Sequence, residues 1–153
     1  MKKRLIGLVL LTSLFAFTVG CLSGSETVEL YFPNTKDNSQ VLSCDSVQSV
    51  ERELSEEVAL IPEETIRQLL LGPTESEKGS GFMSVIPEGV QLIGLQLEGS
   101  IAKIDFSAGL NQVGGSCGTT MARAQITRTL LQFSEIEEVQ ISVEGKTEDI
   151  LEP

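Results

Sequence analysis

From Thr27 to Pro33 apolar and polar side chains alternate. Val28, Leu30 and Phe32 fall on one side, Thr27, Glu29 and Tyr31 on the other. A period of two is the mark of a half-buried strand. Asn34 to Ser39 reads as a polar turn, and a second strand follows over Val47 to Leu54. There Val50, Arg52 and Leu54 share a face. Arg52 is expected to lay its stem along apolar neighbours at the sheet edge and keep its head in water. Pairing with a carboxylate is the alternative.

The period then changes. Pro62 suits the first position of a helix, and Glu63 and Glu64 suit its positive N-terminal end. Ile66, Leu69 and Leu70 form the stripe to be buried, and Gly72-Pro73 stops the helix. Thr74 to Phe82 reads as a polar, glycine-containing loop. Its Gly79-Ser80-Gly81 is no phosphate cradle, because no Lys-Ser/Thr follows and no helix opens there. Pro87-Glu88-Gly89 is a turn. Val90 to Leu97 and Ile101 to Phe106 form a hairpin around Glu98-Gly99-Ser100. A last helix is predicted over Thr119 to Phe133, capped by Ser116, Thr119 or Thr120. Its buried face is Ala122, Ile126, Thr129, Leu130 and Phe133. Val139, Ile141 and Val143 alternate in a closing strand. Strands grouped on either side of a helix argue for an α+β fold: one small mixed β-sheet with two helices packed on one face.

The N-terminus follows a different logic. Lys2, Lys3 and Arg4 precede an uncharged apolar run from Leu5 to Phe17. That run is shorter than the roughly 20 residues a spanning helix needs, but it suits a signal peptide. Thr18-Val19-Gly20-Cys21 closes it. A small residue directly before Cys resembles a bacterial lipobox, although Thr18 stands where Leu is commonest. The expected organisation is a signal peptide over 1–20, a lipidated Cys21 with its tether over 21–26, one domain over 27–150 and a tail over 151–153. About 130 residues suit a single domain with its own core.

Charge narrows the partners. Without Lys2, Lys3 and Arg4, the 22 acids face 8 basic residues, a formal charge of −14. Such a surface repels nucleic acid and anionic lipid head groups, so the acyl chains on Cys21 must hold the protein at the membrane. Many copies are also costly to pack side by side, and weak or no self-association of the isolated domain is expected.

Composition removes much chemistry. The chain has no His, so Ser-His-Asp and Cys-His mechanisms are excluded within it. Zinc would have to rely on thiols without a close Cys pair, and no EF-hand spacing appears among the acids. No cofactor is expected. Besides Cys21 there are Cys44 and Cys117. An extracytoplasmic address permits a disulfide between them, and two free thiols is the alternative. Cys117, in Gly114-Gly115-Ser116-Cys117-Gly118, precedes a helix whose partial charge could lower a thiol pKa. Without a base, a glycine-rich loop with an incidental or bonded Cys is the better reading. Asp105, ahead of Ser107 at a hairpin end, reads as a turn or capping group rather than a catalytic carboxylate.

Four strings together resemble the GerMN family of sporulation and spore-germination domains. They are Val28 to Pro33; Leu69 to Thr74 with Gly79 and Gly81; Ser84 to Gly89 with Ile104 to Ser107; and Gln125 to Leu130 with Val139 to Gly145. The resemblance spans roughly residues 27 to 150. It implies a fold similar to ring-building motifs, small modules that pack side by side in secretion-system and sporulation-channel rings, with no catalytic residues. Some members carry two tandem copies, whereas this chain has room for one. Gln40 to Ser46 matches nothing in the family pattern. The expectation is a non-enzymatic lipoprotein on the extracytoplasmic face of the cell membrane, acting through contacts with another envelope protein. A tethered module for a cell-wall fragment or other small ligand is the alternative.

Overall fold

The computed structural model describes residues 26–36, 43–55 and 60–151. The signal peptide, Cys21 and nearly all of its tether lie outside the described residues, as do Glu152 and Pro153 of the tail. The fold is α+β, built from two small sheets with helices packed against them.

β1, Thr27–Phe32, buries Val28, Leu30 and Phe32 at 2% exposure or less, as its alternation predicts. It pairs antiparallel with β2, Gln48–Glu53, in a register that sets Leu30 opposite Val50. β3, Leu92–Glu98, and β4, Ile101–Phe106, form the expected hairpin, and Gly99 takes a positive φ of 62° in its turn. β5, Glu138–Val143, runs parallel to β4, with Ile104 opposite Ile141. A parallel neighbour needs a long crossover, and this one carries a 3₁₀ turn, Ala108–Gln112, and the longest described helix.

The strands divide between a two-stranded ribbon and a three-stranded mixed sheet, rather than sharing one sheet. Side chains supply the reason. Glu29 N donates to Gln132 Oε1 (2.8 Å), Gln132 Nε2 donates back to Glu29 O (2.7 Å), and Tyr31 N donates to Thr129 Oγ1 (3.1 Å). The edge of β1 away from β2 is thereby satisfied by side chains from the end of the last helix, where another strand would otherwise pair.

α1, Ile61–Leu70, starts one residue before Pro62 and ends before Gly72 at φ 76°. α2, Glu75–Gly79, occupies the segment expected to be loop. Thr74 and Glu77 form a capping box: Glu77 N donates to Thr74 Oγ1 (3.3 Å), and Thr74 N donates to Glu77 Oε2 (2.6 Å). α3, Ser116–Leu130, begins earlier than expected. Its N-cap is Gly115 at φ 73°, and the proposed caps act otherwise: the Thr119 and Thr120 hydroxyls both donate to Ser116 O.

One core joins these parts. Ile66 and Leu69 of α1, and Ala122, Ile126 and Leu130 of α3, are fully buried with Ala102, Ile104 and Phe106 of β4. Two buried polar side chains on α3, Gln125 and Thr129, are spent on the backbone of neighbouring segments.

Candidate functional site

Three consecutive leucines end α1, and a helix cannot bury three positions in a row. Leu69 points into the core, Leu70 is half-buried, and Leu71 is left 77% exposed. A groove of about 260 Å³ is lined by Leu70, Leu71 and Pro73 together with Phe82, Met83 and Ile86. Met83 is 40% exposed. Lys78 and Glu88 stand on the rim. Lys78 donates to Glu75 (2.8 Å), whose carboxylate raises the lysine's pKa and is itself lowered. Glu88 makes no ion pair with the described basic residues.

The far wall of the groove is fixed from two sides. Met83 N donates to Pro33 O (3.0 Å) and Thr35 N to Gly81 O (2.8 Å), tying the wall to the end of β1. Val85 N donates to Gln125 Oε1 (2.9 Å), and Gln125 Nε2 to Ser84 Oγ (3.3 Å), tying it to α3. Gly81 has φ 100°, and a Cβ there would stand 2.6 Å from Asn34 Oδ1, so this glycine serves close packing on β1. Gly79 O accepts from Lys36 Nζ (2.8 Å). The Gly79-Ser80-Gly81 run is a helix end sealed onto a strand.

Cys44 and Cys117 form a disulfide, with Cα atoms 5.0 Å apart across a sequence separation of 73. Of the two thiol readings, the bonded one holds. Cys117 sits in the first turn of α3 and has no thiolate to offer while the bond stands. Asp105 accepts from Ser142 Oγ (2.7 Å) and Gly145 N (2.9 Å), so it holds the turn after β5. Arg52 departs from the snorkelling expectation. Its guanidinium donates to Glu77 Oε2 at 2.9 Å, and both side chains are less than one-fifth exposed. α2 supplies that carboxylate, and reading the segment as loop hid it.

A second hollow, about 450 Å³, is lined by Tyr31, Ser43, Asp45, Val47 and Arg128. Burial, and then the hydrogen bond its hydroxyl donates to Glu29 Oε2 (2.9 Å), push the Tyr31 pKa up. The Ser43 hydroxyl holds the Asp45 carboxylate below its usual range. Among the described residues no three His, Cys, Asp or Glu side chains converge as metal ligands. No described helix is long and apolar enough to cross a membrane.

These features define an α+β module with an exposed apolar groove and a stapled loop. The profile of the Germane family, described as sporulation and spore germination, matches residues 29–149, and the chain belongs to that family. Solved structures share the fold. The tandem GerMN domains of the sporulation protein GerM from Bacillus subtilis superpose with a TM-score of 0.63 at 18% identity, over 84% of this chain and 42% of that one. The chain thus spans less than half of that tandem structure. A candidate lipoprotein from Clostridium perfringens gives a TM-score of 0.53 at 20% identity, covering 86% and 83% of the two chains. The first GerMN domain of the same GerM gives 0.53 at 19%, covering 80% and 86%. A comparison with curated proteins found no match.

Proposed function

We propose that the protein is a lipid-anchored component of the cell envelope whose Germane domain works through protein contacts and catalyses no reaction. The observation that carries this reading is the exposed Leu71–Met83 groove, because exposed apolar surface beside a fixed backbone favours a macromolecular partner. The side chains that chemistry would recruit are committed elsewhere: Cys117 to Cys44, and Asp105 to the turn after β5. The disulfide suits an extracytoplasmic address, as do the apolar N-terminus ending in Cys21 and the shared fold of the C. perfringens candidate lipoprotein. Family membership links the role to sporulation or germination. A charge of −14 for the chain from Cys21 onward supports a different protein, rather than further copies, as the main partner.

Two readings of gently solubilised envelopes test this. The wild-type chain should migrate in a complex heavier than its own monomer. The Cys21→Ser chain should leave the membrane fraction or stay unprocessed. Migration as a lone monomer, or normal processing and lipid labelling of the Ser variant, would refute the corresponding half. The hollow lined by Tyr31, Asp45 and Arg128 favours a second reading, a tethered receptor for a small polar ligand such as a cell-wall fragment. Saturable binding of soluble peptidoglycan fragments, abolished by Arg128→Gln, would establish it.

A further inference from the structure

The groove's position and charge narrow what enters it. β1 carries the chain away from its entry at Glu26, whose carbonyl accepts from Leu54 N at that end of the ribbon. The groove wall is tied to Pro33 at the other end. At about 3.3 Å per residue, the two ends stand roughly 20 Å apart. The residues between Cys21 and Glu26 reach at most about 18 Å. A domain held through Cys21 is therefore tethered at the end of β1 away from the groove wall. An acidic chain also disfavours anionic head groups there.

The rim adds a sign. Lys78 is shared between two carboxylates, Glu75 at 2.8 Å and Glu88, both of which raise its pKa, so the three charges leave one net negative charge at the groove mouth. A second copy would bring the same carboxylate and the same excess of acids. A partner that buries an apolar side chain between Leu71 and Met83 gains from a Lys or Arg that meets Glu88. We propose that the groove between the end of α1 and residues 82–88 receives an apolar anchor side chain from a basic amphipathic segment of another envelope protein. This rests on the protein-contact reading and names the chemistry of the partner.

The methionines make the test direct. Met83 lines the groove and Met121 lies on α3, so ¹³C-methyl labelling reports both in the full chain in detergent micelles. The probes are a short amphipathic peptide of Leu and Lys, the same pattern built from Leu and Glu, and vesicles of phosphatidylglycerol with phosphatidylethanolamine. The Leu/Lys peptide should shift Met83 saturably and leave Met121 in place. Leu71→Asp should weaken binding by about tenfold or more, as loss of an anchor contact does. Leu71 is mostly solvent-exposed, so that variant retains the fold. Glu88→Gln and added salt should each weaken binding severalfold.

Equal shifts with the Leu/Glu peptide, or no shift with either, would overturn the proposal. A Met83 shift driven by vesicles would assign the groove to lipid. A shift driven by protein concentration alone would assign it to a second copy. Each of those outcomes also overturns it. The heavier complex in envelopes is read separately. If it forms while the Leu/Lys peptide fails, the groove assignment falls and the protein-contact reading stands.

Discussion

Gln125→Leu removes the side chain that joins the groove wall to the core. Gln125 is fully buried, accepts from Val85 N at 2.9 Å and donates to Ser84 Oγ at 3.3 Å. Leu has nearly the same volume, so no large cavity opens. The loss is two hydrogen bonds, and the cost concentrates on the Val85 N–H, which keeps no acceptor. An unsatisfied donor of this kind costs about 1–3 kcal/mol. Relief from burying an amide offsets part of it, leaving a net loss of about 1–2 kcal/mol. Urea unfolding with the disulfide intact should show the midpoint fall by about 0.5–1 M at an unchanged slope. Hydrogen exchange at the Val85 amide should accelerate about 5- to 30-fold, because the loop opens more often. An unchanged or raised midpoint, with unchanged exchange at Val85, would refute the argument that this side chain ties the wall to α3.

Leu69→Ala and Leu130→Ala, both at fully buried positions, should each cost about 2–5 kcal/mol in reversible denaturation; losses well under 1 kcal/mol would contradict the helix faces. Removing the Cys44–Cys117 bond, which closes a 73-residue separation, should cost about 4 kcal/mol on loop-entropy grounds. Comparing unfolding of the native chain with the Cys44→Ser, Cys117→Ser pair checks it, and no measurable loss would refute it. Tyr31 is the only tyrosine, so phenolate absorbance reads it alone. Its pKa should lie above the ordinary value near 10, and Glu29→Gln should bring it part-way down, since burial remains. The folded state keeps the phenol proton longer than the unfolded chain. The matching stability is therefore present below pH about 10 and is lost as pH rises through the folded value. A midpoint at or below 10 would show the hydroxyl to be unburied.

What the sequence displayed was periodicity. The alternation of β1, the β3–β4 hairpin, the buried stripe of α1 and the Ala122–Ile126–Leu130 face all follow from spacing alone. α2 was also legible, since Thr74-Glu75-Ser76-Glu77 spells a capping box; the glycines after it drew the reading toward loop. With α2 unseen, Glu77 is not available to Arg52, and the part-buried ion pair reads as a snorkelling side chain. The start of α3 was hidden because Ser116 to Thr120 carries no apolar period. The division into two sheets depends on Gln132 and Thr129 reaching the edge of β1, about 100 residues away in the chain. No local pattern encodes such a contact. The disulfide turned on a Cα separation that only the fold supplies. Of the groove, Leu71 was visible as the third leucine of a run, whereas Met83 reached it only through the bonds that fix residues 81–86.

The central claim is that the domain meets a partner protein through this groove, and crosslinking in living cells tests it most directly. A photoreactive residue replaces Leu71 in the full chain, and in a second strain it replaces the exposed Gln140 on the outer face of β5. The account predicts one discrete heavier adduct from position 71, containing a second protein with a basic segment, and none from position 140. No adduct at 71, or equal adducts from both positions, would contradict it.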